Sequence, residues 1–292
     1  MSRVTFRDLL LQGPIQQRLF HARYQALDIL HHRQRSPDQA AAVAALRASK
    51  APLVAFTVAF NVPQAISLLS DAMARFHPGV PLVVCDNSDD PEAPPVIRAY
   101  CEAAGRVYCR LPRAPLVKKF SSRSHATALN WTLHNLIVPG GVRRFATLDH
   151  DLVPLGPDDL VARLGDQPCY GYVQQHDGRS RAWYLWPGYA LFDLDRIPLR
   201  KVNFGTDRML RLDTGGRMWT TLYRHMDETR FRRAEIRSGI VPGFGDVKLH
   251  HIFDDWFHVG QVSYRDGNLN ALGVMRAAFD ADPDGLMAAT RP

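Results

Sequence analysis

Hydrophobic positions in the first half of the chain alternate between short uninterrupted runs and longer stretches with helical spacing. Residues 53–60 are apolar almost throughout, which predicts a strand buried on both faces. Residues 64–76 place Ile66 and Leu69 on one side of a helix. The alternation continues with a strand at residues 81–85, a helix at residues 95–104 and a strand at residues 107–111. This order predicts an α/β fold with a mainly parallel sheet flanked by helices.

Residues 1–50 have roughly helical spacing with breaks at Pro14 and Pro37, and they predict a helical extension ahead of the sheet. Its polar side is rich in arginine and histidine. A basic amphipathic helix either lies on a membrane surface or packs its apolar side on the main domain, and both interpretations stay open. Residues 266–292 predict a peripheral helix and a tail.

The apolar residues 145–148 predict a buried strand that ends in Asp149-His150-Asp151. In an extended chain, side chains two positions apart leave on the same face, so Asp149 and Asp151 can converge while His150 points elsewhere. Two converging carboxylates suit a divalent cation such as Mg²⁺ or Mn²⁺. The alternative is a polar strand-to-loop turn, where aspartate is common. We also expect regular structure to stop at Pro154.

Other polar residues occur where the predicted strands end. Asn61 and Asp86 follow the first and second strands. Open parallel sheets bind ligands at the carboxyl ends of their strands, which favours a ligand site there. The loop with Lys118 and Lys119 leads to a helix that we expect to begin with Ser124 as its N-cap. This is either an anion site or a solvated basic loop.

The composition is that of an ordinary soluble globular protein, with 46% hydrophobic and 22% charged residues among 292. No apolar stretch is long enough for a spanning helix, and the N-terminus does not resemble a secretory signal. The four cysteines lack Cys-x-x-Cys spacing, which argues against a disulfide framework or a zinc site. We therefore expect a cytoplasmic protein.

The formal net charge of +7 favours anionic partners such as nucleotide phosphates. The basic residues are dispersed and form no aromatic-and-basic ribbon, so no nucleic-acid platform is indicated. Glycine-rich dinucleotide and P-loop motifs are absent from the sequence, which argues against a Rossmann dehydrogenase or a P-loop enzyme.

Four segments in order, LVAFTVAFNVPQAISLL, LVVCDNSDD, SRSHATALNWTL and RRFATLDHDLVPL, resemble the nucleotide-binding half of GT-A-fold glycosyltransferases, especially family 2-like enzymes. The likeness covers residues 52–155 well and residues 180–265 loosely. It implies a mixed, mainly parallel Rossmann-like GT-A sheet in a domain at residues 51–265. Within that domain, residues 51–155 would be the nucleotide-binding half and residues 156–265 the acceptor half.

The resemblance also implies roles for particular side chains. The nucleotide-sugar would be bound by Phe56, Thr57, Asn61, Asp86, Arg123, Asn130 and Asp149. A Mn²⁺ or Mg²⁺ ion would be held by Asp149, Asp151 and a C-terminal histidine, for which His258 fits best and His250 and His251 are alternatives.

In the acceptor half, residues 170–173 and 182–192 predict strands around a turn at Pro187-Gly188. Trp186 and Tyr189 would contact the acceptor, although aromatic residues in such strands equally form core. Asp213 would be the general base, with Asp207 in reserve. The usual Glu-Asp pair of the family is Leu-Asp here. Asp213 could instead be the N-cap of a helix at residues 214–223.

The implied function is metal-dependent transfer of a sugar from a nucleoside diphosphate sugar, UDP-linked by default, to a hydroxyl of a glycan, lipid-linked or protein acceptor. The resemblance also implies a role in bacterial glycan or polysaccharide synthesis, in the cytoplasm or peripherally at the inner face of the membrane. A base at Asp213 implies inversion; without it a retaining route stays open. The alternatives are a nucleotidylyltransferase, whose glycine-rich basic loop is not found at residues 60–63, and a non-catalytic nucleotide-sugar-binding module.

Overall fold

A central sheet and a smaller second sheet form the framework of the computed structural model, which describes residues 14–114, 121–175, 181–207, 209–227, 230–241, 250–260, 262–263 and 266–290. The strands are β1 Val54–Ala59, β2 Leu82–Asp86, β3 Val107–Arg110, β4 Arg144–Asp149, β5 Leu152–Pro154, β6 Cys169–Gln175, β7 Trp183–Asp193, β8 Ile236–Gly239, β9 His250–Phe253 and β10 Trp256–His258. The helices are α1 Pro14–His32, α2 Gln39–Ser49, α3 Pro63–Phe76, α4 Ala93–Ala103, α5 Ser121–Thr132 with a π turn at Leu133–Ile137, α6 Leu160–Leu164, α7 Met218–Thr221, α8 Asp266–Ala281 and α9 Leu286–Ala289.

The central sheet has the strand order β3-β2-β1-β4-β7-β6. β1 pairs in parallel with β2 and with β4, and β2 pairs in parallel with β3. β7 runs antiparallel to both β4 and β6. A mixed, mainly parallel sheet flanked by helices is therefore confirmed.

Both faces of β1 are buried, which explains its uninterrupted apolar run. On one face Phe56 packs against Phe145 of β4, with ring centroids 5.7 Å apart. On the other face Ala55 belongs to a buried cluster with Ile66 and Met73 of α3. Because each face has its own core, polar residues do not alternate with apolar ones along this strand.

The second sheet is antiparallel and has the order β5-β10-β9-β8. Regular structure stops at Pro154 as expected, because β5 ends at that residue, but the sequence did not predict β5 itself, which pairs with β10. Three residues are too few to show a period, and β5 is an edge strand, where proline is tolerated. This short pairing positions the candidate site described below.

Two expectations needed correction. Helix α5 begins at Ser121, so Ser124 lies inside the helix and is not its N-cap. Pro187 and Gly188 do not form a turn between two strands, because β7 continues through them. The pairing register with β6 shifts at this point, so the two residues lie in an irregular, bulged part of the strand, where proline is compatible with a sheet.

Helices α1 and α2 precede β1, and α1 packs on α5. The guanidinium of Arg123 in α5 lies 3.7 Å above the Tyr24 ring and 3.2 Å from the Asp28 carboxylate of α1. Within the described ranges, we find no helix with the length and apolar character needed to cross a membrane. Residues 1–13 of the expected extension, and the loop residues Lys118 and Lys119, lie outside the described residues.

Acidification is expected to weaken the attachment of α1 through His32, whose ring lies 4.7 Å from that of His134. Burial, and then the charges of His134 and His31, lower the pKa of His32 to about 4 from its ordinary value of 6.5. Burial also lowers the pKa of His134. The unfolded chain therefore binds these protons at higher pH, and stability is lost as the pH falls from about 6.5 towards about 4.

Thermal melts across this pH range test the prediction. The pH dependence should flatten when His32 and His134 are both replaced by glutamine. The exposed His225, replaced by glutamine, is the matched control and should retain the wild-type dependence. A double variant with unchanged pH dependence would assign the acid sensitivity to other groups.

Candidate metal and substrate site

Three side chains converge at the carboxyl edge of the parallel strands. Asp149 is the last residue of β4, and Asp151 follows in the turn that leads into β5. His258 is the last residue of β10 and pairs opposite Leu152 of β5. The antiparallel β5–β10 pair therefore carries a histidine from the C-terminal part of the chain to two aspartates that lie more than a hundred residues earlier.

The three side chains are spaced as ligands of one ion would be. His258 Nε2 lies 3.2 Å from Asp151 Oδ1 and 3.7 Å from Asp149 Oδ2. One ligand atom from each residue falls within 4.8 Å of the others. Two carboxylates and one imidazole form an oxygen-rich donor set, which fits a divalent cation such as Mn²⁺ or Mg²⁺.

Asp151 and His258 shift each other's protonation. Burial raises the pKa of Asp151, but the charge of His258 and the hydrogen bond from it outweigh burial, so the pKa lies below its usual range. Burial lowers the pKa of His258, but Asp151 and then Asp149 raise it overall. Without a cation the two groups form an ion pair, and a cation that binds here takes the place of the imidazole proton.

His150 holds the turn that carries the two aspartates. Its Nδ1 lies 3.1 Å from the Val58 carbonyl, and its Nε2 lies 3.2 Å from Ser263 Oγ. The sequence suggested that Asp149 and Asp151 converge because side chains alternate along a strand. In the structure Asp149 is in a strand and Asp151 is in a turn, so strand alternation is not the cause. The convergence arises from the turn at residues 150–151 between β4 and β5, which His150 fastens to β1.

His125 is a site residue that sequence reasoning missed. It belongs to α5, and its Nε2 lies 3.7 Å from Asp149 Oδ1. Burial lowers the pKa of His125, although Asp149 and, more weakly, Asp213 oppose this. His125 lies two residues after Arg123, which the sequence analysis assigned to the nucleotide-sugar. No feature of the sequence distinguished His125 from the other polar residues at the start of this helix.

The two α5 residues that were expected at the nucleotide-sugar have other partners. Arg123 is paired with Asp28 and Tyr24 of α1, as described above. Asn130 is buried, and its Oδ1 accepts a hydrogen bond of 2.9 Å from the backbone N–H of Phe204. On this helix it is His125 that approaches the aspartates.

Asp86, expected to bind base or ribose, is fully buried at the end of β2. Its carboxylate accepts hydrogen bonds from the Ser88 N–H at 2.9 Å, the Tyr108 hydroxyl at 2.7 Å and Arg110 Nη1 at 3.0 Å. These partners engage both carboxylate oxygens, and solvent does not reach the residue. Its visible role is to hold the loop after β2.

Three other nucleotide-site candidates are also engaged or enclosed. Phe56 and Thr57 are fully buried within β1. Asn61 has a left-handed backbone (φ 58°), and its side chain donates to Asp89 Oδ1 at 2.6 Å. Its Oδ1 accepts from the backbone N–H groups of Asp89 and Asp90. Asn61 therefore ties the end of β1 to the loop after β2.

Of the two expected acceptor residues, the structure brings one to the site. The half-buried Trp186 has its ring centroid 4.6 Å from that of His258. Tyr189 is fully buried, and its hydroxyl donates to Asp254 Oδ2 at 2.9 Å. Trp186 stays a candidate for ligand contact, whereas Tyr189 belongs to the core.

Asp213 is exposed, and its Oδ1 accepts from the Thr214 N–H at 2.8 Å. Helix α7 begins only at Met218, so Asp213 is not its N-cap. Asp207 is buried, and its Oδ1 accepts from two backbone N–H groups of its own loop.

The alternative histidine ligands lie on β9. The His251 side chain is exposed and does not belong to the cluster of Asp149, Asp151 and His258. The side chain of His250 is outside the described part of the structure.

No protein-family model matches the chain, and no curated protein shows significant similarity to it. Among solved structures, the chain is similar to the mannosyltransferase PcManGT from Pyrobaculum calidifontis, in complex with GDP-Man and Mn²⁺. The sequence identity is 15% and the TM-score is 0.36. The match covers 61% of this chain and 55% of that chain, so it spans little more than half of the known structure. A likeness at this distance does not assign an activity.

Proposed function

We propose that this protein is a metal-dependent glycosyltransferase that moves a sugar from a nucleoside diphosphate sugar to an acceptor hydroxyl. A UDP-sugar is the default donor in this proposal. The observation that carries the proposal is the convergence of Asp149, Asp151 and His258 within 4.8 Å of one another. These residues meet at the carboxyl end of β4, the edge at which open α/β sheets bind ligands.

The donor set explains why a diphosphate is the favoured ligand. A divalent cation held by two carboxylates and an imidazole keeps positions for phosphate oxygens. When bound, it would neutralise charge on the departing nucleoside diphosphate. The protein's own contribution is to hold Asp149 and Asp151 in one turn, fastened by His150, and to bring His258 to them through the β5–β10 pair.

His125 and Trp186 are the described side chains that we propose for the donor itself. His125 faces Asp149, and its lowered pKa favours a neutral imidazole with one N–H donor for a phosphate oxygen or sugar hydroxyl. Trp186 packs beside His258 and is partly open to solvent, so its ring offers an apolar wall for a sugar.

Asp213 is the general base in this proposal. It is exposed, which leaves its second carboxylate oxygen open to an acceptor hydroxyl, and its charge acts on His125. Removal of the hydroxyl proton by Asp213 during attack on the anomeric carbon would give inversion. Asp207 does not compete for this role, because its carboxylate caps its own loop.

The test is thermal stability of the protein with UDP, GDP, CDP and dTDP, each in the presence of Mn²⁺ or EDTA. Ligand at about 100 times its dissociation constant adds about 2.7 kcal/mol of stability. We expect a Mn²⁺-dependent increase with one nucleotide, and its loss in Asp151→Ala. Asp166→Ala is the control, because the side chain of Asp166 is 92% exposed.

Product analysis then separates the three functions. Release of the nucleoside diphosphate from its sugar conjugate supports glycosyl transfer. Formation of pyrophosphate from a nucleoside triphosphate and a sugar phosphate would instead indicate a nucleotidylyltransferase. Binding without either product would indicate a binding module, and no Mn²⁺-dependent stabilisation by any nucleotide would contradict the proposal.

A further inference from the structure

The outward side of helix α1 carries a stripe of apolar residues that solvent reaches. We define this outer stripe as Leu19, Ala22, Ala26, Ile29 and Leu30, all of them exposed. The three large side chains, Leu19, Ile29 and Leu30, are 65%, 48% and 54% exposed. Along the chain, steps of three or four residues lead from Leu19 to Ala22, to Ala26 and on to Ile29 and Leu30, which places the stripe on one side of the helix.

The outer stripe is not the side by which α1 attaches to the protein. That attachment uses Tyr24 and Asp28, which contact Arg123 of α5, and the buried His31. Large exposed apolar side chains are otherwise scattered among the described residues. They are Val96, Tyr100, Met209, Ile236 and Leu269. The outer stripe is therefore a concentration of apolar surface that the folding of the described chain leaves open.

The exposed charged residues within α1 and directly after it are arginines. Arg18 and Arg23 are exposed within α1, and Arg33 and Arg35 are exposed directly after it. The single acidic residue of the helix, Asp28, is 17% exposed and paired with Arg123. The outward side of α1 therefore combines apolar residues with arginines and carries no acidic residue of the helix.

We propose that α1 docks on an anionic membrane surface. The outer stripe would enter the boundary between headgroups and acyl chains, and the flanking arginines would contact lipid phosphates. A second copy of the chain fits less well, because a two-fold contact between outer stripes would bring like-charged arginines together. The inference uses only α1 and its flanks, so it is independent of the proposed sugar transfer.

Flotation of the full chain with lipid vesicles tests the proposal. We expect the protein to bind vesicles that contain phosphatidylglycerol about tenfold or more tightly than vesicles of phosphatidylcholine alone. Added salt should weaken this binding, since it screens the arginines. The double variant L19E/L30E should reduce binding to the anionic vesicles by about tenfold or more, because it places carboxylates in the apolar stripe.

The matched control is V96E/L269E, which introduces the same two charges at exposed apolar positions elsewhere and should bind like the wild type. A second variant, R18E/R23E, reverses charge beside the stripe and should reduce binding to anionic vesicles only. Circular dichroism and thermal melts establish that all three variants fold.

Several results would overturn the proposal. These are no binding to anionic vesicles, equal binding to both vesicle types, and equal losses in L19E/L30E and V96E/L269E. A dimer in gel filtration that L19E/L30E converts to a monomer, together with no vesicle binding, would show that a second copy occupies the stripe.

Discussion

Replacing Asp151 by asparagine is expected to weaken Mn²⁺ binding by about 100-fold or more. Replacing a residue that only supports a metal ligand lowers metal affinity about 10- to 100-fold. Replacing a direct ligand should lower it at least as much. Asparagine has nearly the shape of aspartate but lacks its charge, and it leaves Asp149 as the single carboxylate of the cluster. His258→Gln should have a similar effect, because it removes the nitrogen ligand.

Mn²⁺ titration by calorimetry measures this prediction directly and does not depend on an assay of sugar transfer. The matched control is His251→Gln, because His251 is exposed on β9 and is not part of the cluster. It should bind Mn²⁺ like the wild type. If Asp151→Asn and His258→Gln retain wild-type affinity, the cluster is not a metal site.

Replacing Asp254 by alanine is expected to destabilise the protein by about 3–5 kcal/mol. The Asp254 carboxylate is buried and accepts hydrogen bonds from the Tyr170 hydroxyl at 2.8 Å, the Tyr189 hydroxyl at 2.9 Å and the Glu235 N–H at 2.9 Å. Arg163 Nη1 lies 3.6 Å away. Alanine leaves two hydroxyls and an N–H without this acceptor, and each buried orphan costs about 1–3 kcal/mol.

The position of Asp254 gives this loss a wider consequence. The residue lies in the turn between β9 and β10 of the second sheet, whereas Tyr170 and Tyr189 belong to β6 and β7 of the central sheet. The carboxylate therefore fastens the two sheets to each other. Since β10 ends in His258, the alanine variant should also bind Mn²⁺ less tightly.

Urea denaturation measures the difference in stability. Asp255→Ala is the matched control in the same turn. The Asp255 side chain is 31% exposed and pairs with Arg163 at 3.5 Å, so its loss should cost less than about 1 kcal/mol. Asp254 has a left-handed backbone (φ 51°), which asparagine tolerates, so Asp254→Asn should fall between the two alanine variants. Equal losses in Asp254→Ala and Asp255→Ala would contradict the assigned role.

The parallel half of the central sheet could be predicted because its strands are buried on both faces. Burial on both sides leaves an uninterrupted apolar run, as in β1, and that pattern is visible without knowledge of the partner strands. The helices between these strands showed their own spacing. The same reasoning failed for β5 and β10, which have three residues each, too few to show a period, and which pair with each other from distant parts of the chain.

The side chains of the candidate site divide in the same way. Asp149 and Asp151 could be identified because they follow a recognisable strand within one short motif. Asp86 and Tyr189 have the residue types of ligand contacts, but Tyr108 and Asp254 engage them from 22 and 65 residues away. No local pattern distinguishes a carboxylate that faces a ligand from one that accepts hydrogen bonds from a distant hydroxyl and guanidinium.

The sequence by itself thus determined the mixed α/β class, the edge of the sheet at which polar residues collect and the two aspartates at its centre. These depend on burial and on local order along the chain. Only the tertiary structure decided that His258 and His125 reach Asp149, that Arg123 turns to α1 and that α1 leaves an apolar stripe open. Each of these depends on which distant segments pack together, because hydrogen bonds and ion pairs between distant residues leave no period in the sequence.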